Sequence, residues 1–270
     1  MSKIDKLKNI LKGMKSVVIA YSGGLDSAFL LKAAIDSLGK GSVLAVTARS
    51  ETYPLSEYEE AVSIAKKMGS EHITIQTKEL NIKHFKSNPV DRCYYCKKEL
   101  FGKLDIIRRR RGIKHLLDGA NSDDLKDVRY GRIAAKELGV RSPLLESGMT
   151  KADIRKYSKA LSLPTWDKPS FACLASRFPF NVKITAKDLK RIDMAESYLK
   201  RLGFKQVRVR LHGEIARIEL LAADQDKALK YRDAITHSLK GLGFTYIALD
   251  LAGYRTGSMH ESASGRRIKH

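Results

Sequence analysis

Short β-branched runs alternate with amphipathic helical runs over the first two thirds of the chain. The runs rich in strand-favouring residues are bounded by charged and glycine-containing segments, and the helical runs carry apolar residues at spacings of three and four. The predicted strands are 16–21, 43–47, 72–76 and 115–117, and the predicted helices between them are 26–38, 55–68 and 95–111. Such alternation is typical of a parallel sheet covered on both faces, so we predict a doubly wound α/β fold.

After a proline-containing stretch at 163–179 the pattern changes to helix, hairpin, helix and strand. We expect no further βαβ crossover of the earlier kind there. Thr185 followed by Asp188 predicts a capped helix start. The chain is therefore predicted to have two domains: a doubly wound domain over residues 1–180, and a smaller α+β domain over 181–270 for substrate binding or oligomerisation.

The predicted hairpin carries three arginines. Its strands, QVRVRL and EIARIEL, flank the dipeptide at 212–213, which suits a tight turn and would pair Arg208 with Arg217. Arg208, Arg210 and Arg217 then share one face, where like charges repel unless an anion lies among them. The face is either solvated, with Glu219 as a partial partner, or a phosphate or carboxylate site.

The chain is strongly basic, with 51 Lys and Arg against 30 Asp and Glu, a net charge of +21. This charge predicts attraction to nucleotides or tRNA, or else a solubilising surface. No run is apolar and long enough to span a bilayer, and the first residues lack the apolar core of a secretory signal, so we expect a cytoplasmic protein without a membrane partner. Three cysteines, an odd number, argue against a disulfide framework.

A glycine-rich segment, Ser22-Gly23-Gly24-Leu25-Asp26-Ser27, joins the first predicted strand to a helix. Open α/β sheets bind ligands at this edge, where amide groups at a helix start hold phosphate oxygens. The segment is neither a Walker A loop nor a dinucleotide fingerprint. SGGLDS resembles instead the PP-loop of the ATP pyrophosphatases, which cleave ATP between its α and β phosphates. The resemblance implies that Ser22, Gly23, Gly24, Asp26 and Ser27 bind ATP and that Asp26 holds Mg²⁺.

A second acidic segment, DGANSDD at 118–124, follows the predicted strand at 115–117 and would open at the same edge. In PP-loop enzymes the corresponding positions, Gly119 and Asn121, lie beside AMP. Asp123 or Asp124 would lie near the metal. Turns rich in Asp and Asn are also common as simple loops, so both interpretations stand.

The cysteines form a pair, Cys93 and Cys96, and a distant third, Cys173. A CxxC pair alone suits a redox pair, half a zinc site or two unrelated thiols. No histidine stands at a zinc-ligand spacing from any of them. Three thiolates also suit a [4Fe-4S] cluster whose fourth iron is open to an exchangeable ligand such as hydrosulfide.

Taken together, SGGLDS, RCYYCKKELF, DGANSDD, PSFACLASRFP, VRVRLHGEIARIE and LDLAGYRTGSM resemble the LarE family of ATP-dependent sulfur transferases over nearly the whole chain. Members adenylate a carboxylate of pyridinium-3,5-biscarboxylate mononucleotide and convert it to a thiocarboxylate, which serves the nickel-pincer nucleotide cofactor of lactate racemase. In one group a cysteine at the position of Cys173 gives up its own sulfur. In the other, cysteines at the positions of Cys93, Cys96 and Cys173 bind a [4Fe-4S] cluster that carries sulfide. This sequence has all three, so we predict the cluster.

The resemblance also implies a substrate site for phosphate and carboxylates at Ser176, Arg177, Arg208 and Arg210, with Glu196 as a further polar or metal contact. Cys173 and Asp26 are the predicted catalytic residues. The implied partners are ATP, the pyridinium nucleotide, sulfide or a sulfur donor, and further copies of the chain. A tRNA thiolase of the PP-loop class is the alternative, because some combine a PP-loop with three cysteines and +21 would suit tRNA. A non-catalytic nucleotide-binding regulator is a third reading.

Overall fold

The computed structural model describes residues 1–125, 130–169 and 171–255, which form two compact units. The N-terminal unit comprises residues 1–79 and 91–171, and the C-terminal unit comprises 80–90 and the chain from 172 onward. Two of the motifs extend outside the described residues: PSFACLASRFP at Ser170, and LDLAGYRTGSM after Arg255.

The N-terminal unit is built on a four-stranded parallel sheet in the order β3-β2-β1-β4. The strands are β1 Val17–Ala20, β2 Val43–Arg49, β3 Glu71–Gln76 and β4 His115–Leu117. The helices of this unit are α1 Lys3–Lys12, α2 Leu25–Leu38, α3 Leu55–Met68, α5 Arg92–Arg110, α6 Tyr130–Glu137, α7 Pro143–Glu146 and α8 Lys151–Ala160. The predicted doubly wound parallel class is confirmed.

Alternate residues of β1 enter different cores, as expected for a sheet with helices on both faces. Val17 and Ile19 belong to the cluster formed with α1 and α2. Val18 belongs instead to the cluster of Phe101 and Leu104 on α5. The sheet is thus buried on both sides, and β1 leads directly into the glycine-rich segment at its carboxyl end.

Helix α5 begins at Arg92, before the predicted start at residue 95. The consequence is that Cys93 and Cys96 both lie on the helix, within its first turns. No helix among the described residues combines the length and the apolar character needed to cross a membrane.

The C-terminal unit contains a three-stranded sheet in the order β5-β6-β7. Its elements are α4 Lys83–Lys86, α9 Ala186–Arg201, β5 Val207–His212, β6 Ile215–Leu220, α10 Gln225–Lys230, α11 Arg232–Gly241 and β7 Tyr246–Leu249. Thr185 caps α9 as predicted, because its hydroxyl accepts the backbone N–H of Asp188 at 3.1 Å. Strands β6 and β7 run parallel and are joined through α10 and α11, so the expectation of no further crossover is wrong.

The hairpin between β5 and β6 has a different register from the predicted one. Its turn residues are Gly213 and Glu214, one position later than expected, and Arg208 pairs with Glu219 rather than with Arg217. Gly213 has φ 61°, the positive value that a type II′ turn needs at its first central position. The shift keeps the alternation of faces, so the arginines still share one face.

Segment 80–90 belongs to the C-terminal unit because it is bonded to the chain near residue 180. The side-chain amide of Asn88 donates to the carbonyl of Pro179 at 2.7 Å. The backbone carbonyl of Asn88 accepts the N–H of Asn181 at 2.9 Å, and the N–H of Ile184 donates to the backbone carbonyl of Lys86. Asn88 is fully buried, so these bonds anchor the segment from inside the unit.

Candidate functional site

The loop at 22–27 has a backbone that only glycine allows at one position. Gly23 has φ 62°, and a Cβ built on it would lie 2.4 Å from the Cβ of Ala61 on α3. Gly24 is the N-cap of α2 and makes no side-chain cap bond, so no capping side chain takes up the amide groups at the start of this 14-residue helix. This arrangement is suited to holding an anion.

The two serines of the loop bond to each other. Their hydroxyl oxygens are 3.1 Å apart, and the hydroxyl of Ser27 donates to the carbonyl of Gly24 at 3.2 Å. The hydroxyl of Tyr53 donates to the carbonyl of Ser22 at 2.7 Å. The hydroxyls therefore shape the loop, and their predicted contact with phosphate stays a prediction.

The second predicted segment lies against this loop. A Cβ on Gly119 would be 3.1 Å from the backbone nitrogen of Ser27, so glycine permits the close approach. Asn121 is buried, and its side-chain oxygen accepts the N–H of Asp123 at 2.9 Å. The backbone N–H of Asn121 donates to Asp124 at 3.1 Å. The structure thus brings together the two segments that the sequence places at one sheet edge.

Asp26 supplies the carboxylate of the loop at 22–27. Its Oδ1 atom is buried and has no hydrogen-bond partner, while Oδ2 lies 3.6 Å from the Nζ of Lys151. Burial raises the pKa of Asp26, and the neighbouring Asp124 adds to this, against the opposing effect of Lys151. A buried carboxylate oxygen without a partner fits a hard cation such as Mg²⁺.

The carboxylate coupled electrostatically to Asp26 is that of Asp124. Asp123, the predicted metal residue, accepts the backbone N–H of Lys151 at 2.9 Å and so helps to place the start of α8. In the described part of the chain, no three His, Cys, Asp or Glu side chains form a group that could hold a metal ion.

Lys168 contacts both the loop at 22–27 and helix α3. Its Nζ lies 2.9 Å from Glu57 and 2.7 Å from Glu60, and 3.5 Å from the carbonyl oxygen of Gly23. Burial acts to lower the pKa of Lys168, but the two glutamates outweigh it and the pKa is raised. Lys168 therefore stays charged and ties the loop to α3.

None of the three cysteines forms a disulfide. Cys93 is exposed, and Cys96 and Cys173 are partly buried. The thiol of Cys96 lies 3.9 Å from a carboxylate oxygen of Glu79, which is buried. Cys93 and Cys96 belong to the N-terminal unit, whereas Cys173 belongs to the C-terminal unit, where it precedes a 3₁₀ turn at Leu174–Arg177.

In the C-terminal unit the predicted substrate residues form a buried cluster of ion pairs. Arg177 forms a two-pronged pair with Glu196, with both N–O distances 2.8 Å. Arg210 pairs with Glu219 in the same way, at 3.0 and 2.9 Å, and it also donates to the carbonyl of Ser176. Arg208 and Arg210 are therefore buried rather than solvated, whereas the side chain of Arg217 is 38% exposed and pairs with Glu219 at 3.0 Å, as the solvated alternative expected of that acid.

Arg208 is the third buried arginine, 7% exposed, and its guanidinium lies 5.3 Å from the centre of the Tyr254 ring. Burial and then the positive charge of Arg177 lower the pKa of Arg208. Arg177, Arg208 and Arg210 are thus buried in the same unit as Glu196 and Glu219.

The sequence reasoning did not find Lys151, Lys168 or Tyr53. No motif marks any of them, because each is a single residue far along the chain from the loop that it contacts. Lys168 lies between Glu57 and Glu60, which are one turn apart on α3. This contact can be recognised only when α3 is packed against the loop.

The chain is similar in sequence to several known proteins. The family model described as NAD synthase matches residues 3–114. The chain is 41% identical to an uncharacterised protein of Synechocystis sp. over 96% of this chain and 97% of that protein. It is 38% identical to the pyridinium-3,5-bisthiocarboxylic acid mononucleotide synthase of Lactiplantibacillus plantarum, covering 96% of this chain and 94% of the synthase. An uncharacterised protein of Methanocaldococcus jannaschii is 31% identical over 95% and 98% of the two chains.

Proposed function

The chain belongs to the LarE family, and from this membership we propose that it is an ATP-dependent sulfurtransferase acting on pyridinium-3,5-biscarboxylate mononucleotide. It would adenylate a carboxylate of this nucleotide and replace oxygen with sulfur, on the way to the nickel-pincer cofactor of lactate racemase. The observation that carries the proposal is the glycine-lined loop at 22–27, with the unpartnered Oδ1 of Asp26 at its centre.

The first step is the attack of a substrate carboxylate on the α-phosphorus of ATP, which releases pyrophosphate. The amide groups at the start of α2 would hold the phosphates, with Lys151 as a nearby cation. Asp26, with Asp124 or Asp123 beside it, would hold Mg²⁺, which neutralises charge on the leaving pyrophosphate when bound. Gly119 and Asn121 would lie beside AMP.

The second step is the attack of a sulfide nucleophile on the acyl adenylate, which expels AMP. Three thiolates can hold a [4Fe-4S] cluster and leave one iron open, and Cys93, Cys96 and Cys173 are each at least partly accessible. We propose that these three cysteines hold a [4Fe-4S] cluster, which would supply the sulfide. A sacrificial Cys173 is the alternative source of sulfur.

Clustered arginines favour a substrate that carries anions. Ser176, Arg208 and Arg210 would bind the phosphate and carboxylates of the pyridinium nucleotide, and Arg210 would do so by giving up its bond to the carbonyl of Ser176 while keeping its pair with Glu219. Positioning and charge stabilisation are then the protein's main contribution to catalysis. We further propose that the enzyme works in the cytoplasm as a homo-oligomer and takes its sulfide from a separate donor.

The test is pyrophosphate release by anaerobically prepared, iron-loaded protein given Mg-ATP and sulfide. One arm contains the pyridinium biscarboxylate mononucleotide and the other contains tRNA. We expect release with the pyridinium compound, together with the mass gain of one oxygen-to-sulfur exchange in it. Release only with tRNA would instead support a tRNA thiolase, which the net charge of +21 favours. Nucleotide binding without any release would indicate a regulator.

A further inference from the structure

We propose that Arg177 is a positioning residue that holds the backbone of Cys173, and that it does not bind the substrate phosphate. The role rests on the proposed function only in that Cys173 is taken to serve the sulfur chemistry. The residues involved all lie in the C-terminal unit.

All three nitrogens of the Arg177 guanidinium donate to protein acceptors. Nε and Nη2 donate to the two carboxylate oxygens of Glu196. Nη1 donates to the carbonyl of Ala172 at 2.7 Å and lies 3.2 Å from the carbonyl of Cys173 and 2.8 Å from the hydroxyl of Ser176. The side chain is 0% exposed. An anion could reach it only if several of these bonds broke in a buried place.

The bonds of Arg177 join the two ends of a short turn. Cys173 is the N-cap of the 3₁₀ turn at Leu174–Arg177 but makes no side-chain cap bond. Its carbonyl accepts the backbone N–H of Ser176 at 3.0 Å and is held a second time by Arg177. A side chain at the end of the turn thus closes back on the residues at its start.

Glu196 connects this turn to strand β5. Its Oε1 atom accepts the backbone N–H of Val209 at 2.9 Å and the Nε of Arg177 at 2.8 Å. Val209 stands between Arg208 and Arg210 on β5. The chain of contacts from Val209 through Glu196 and Arg177 therefore fixes Cys173 relative to the arginines proposed to bind the substrate.

The experiment compares two variants. In R177M/E196Q both charges of the Arg177–Glu196 pair are removed together, so neither partner is left buried without the other. The side-chain volumes are similar, and the glutamine oxygen can still accept the N–H of Val209. In R177K the charge remains but the planar fork is lost, and this variant serves if the double variant fails to fold. The matched control is R191M, which removes an arginine that donates to two carbonyls elsewhere in the unit, those of Leu242 and Gly243.

Two measurements are made on the protein without ligands: hydrogen exchange of the Ser176 amide, and the affinity for inorganic phosphate. We expect exchange at Ser176 to be about tenfold faster in both Arg177 variants and unchanged in R191M, since a lost charged hydrogen bond has this effect. Phosphate affinity should stay within about twofold of wild type, because no anion contact is removed.

In the complete reaction we expect pyrophosphate release to persist with an unchanged KM for the pyridinium nucleotide, while sulfur transfer falls about tenfold. Unchanged exchange at Ser176 would overturn the proposal. Loss of phosphate affinity equal to that in R208M would overturn it equally, because Arg177 would then be a ligand. Neither outcome depends on the identity of the substrate, so failure of the proposed function is recognised separately.

Discussion

Replacing Gly23 with alanine tests whether the loop at 22–27 needs the backbone conformation that the structure shows. At φ 62° an alanine costs about 1–2 kcal/mol. Its Cβ would lie 2.4 Å from the Cβ of Ala61, where carbon atoms normally approach to about 3.5–4.0 Å. The loop must therefore move by about 1 Å, and overpacking of this kind adds about 1–3 kcal/mol.

We expect Gly23→Ala to lose about 2–5 kcal/mol of unfolding free energy and to melt roughly 5–15 °C lower. Because a shift of about 1 Å in a reacting group can cost about 100-fold in rate, kcat/KM for pyrophosphate release should fall by about that factor. The melting temperature is measured by circular dichroism during thermal unfolding. The rate is measured as pyrophosphate release under saturating Mg-ATP.

The control for thermal stability is Gly24→Ala. Gly24 has φ −79°, and an added Cβ would stand 3.5 Å from the hydroxyl of Ser22, an ordinary contact, so stability should change by no more than about 0.5 kcal/mol. An Ala61→Gly background relieves the clash only in part, because the added Cβ would still lie 2.7 Å from the Cα of residue 61, so Gly23→Ala should there cost less than in wild type but more than the backbone strain of about 1–2 kcal/mol. Equal melting temperatures and rates for Gly23→Ala and wild type would refute this reasoning.

Three further predictions concern the carboxylate of the loop, a helix cap and a buried ion pair. Burial raises the pKa of Asp26 above 3.8, so its negative charge lowers the stability of the folded state at neutral pH. Asp26→Asn should therefore raise the melting temperature in the absence of Mg²⁺. The gain should shrink as the pH falls towards 3.8, because Asp26 then becomes protonated in the folded protein. Thr185→Ala removes the cap of α9 and should cost about 1 kcal/mol in chemical denaturation, with activity retained. Arg210→Met leaves the 1% exposed Glu219 with its main partner gone and should cost about 3–5 kcal/mol, whereas Arg210→Met/Glu219→Gln should recover much of this in the same denaturation assay.

The sequence predicted the parallel sheet well because its strands and helices differ in period. Helix α3 and strand β4 have the predicted bounds, and fully buried strands such as β1 read as continuous β-branched runs. The start of α5 was missed because RCYYC contains aromatic and cysteine residues that are weak helix formers. Its position depends on packing of the later residues Phe101 and Leu104 in the core.

The hairpin register was wrong for a local reason. A His-Gly pair and a Gly-Glu pair both suit a two-residue turn, and the alternation of apolar and charged residues is the same in either case. Only the pairing with β7 and the burial of Glu219 distinguish the two registers, and both are properties of the folded unit. The assignments of site residues, and of roles to residues 1–180 and 181–270, stay predictions.

The arginine face shows most clearly what a pattern leaves open. The sequence predicted that the arginines share a face, and it offered as choices a solvated face with Glu219 as a partial partner or a ligand site. In the structure Glu196 and Glu219 are themselves the buried anions for Arg177 and Arg210. Glu219 could be named from the sequence because it lies on the same hairpin, whereas the pairing of Glu196 with Arg177 follows only from packing.

The net charge does not by itself decide between a mononucleotide and tRNA. The buried basic residues are balanced one for one by buried acids: Arg92, Arg177, Arg208 and Arg210 against Glu79, Asp124, Glu196 and Glu219. The excess of +21 therefore lies on the surface and in the residues outside the described ranges, where it attracts any polyanion. Salt separates the cases: a substrate with few phosphates gives a KM that depends weakly on ionic strength, whereas tRNA bound through about six or more phosphates loses about a thousandfold in affinity between about 50 and 200 mM salt.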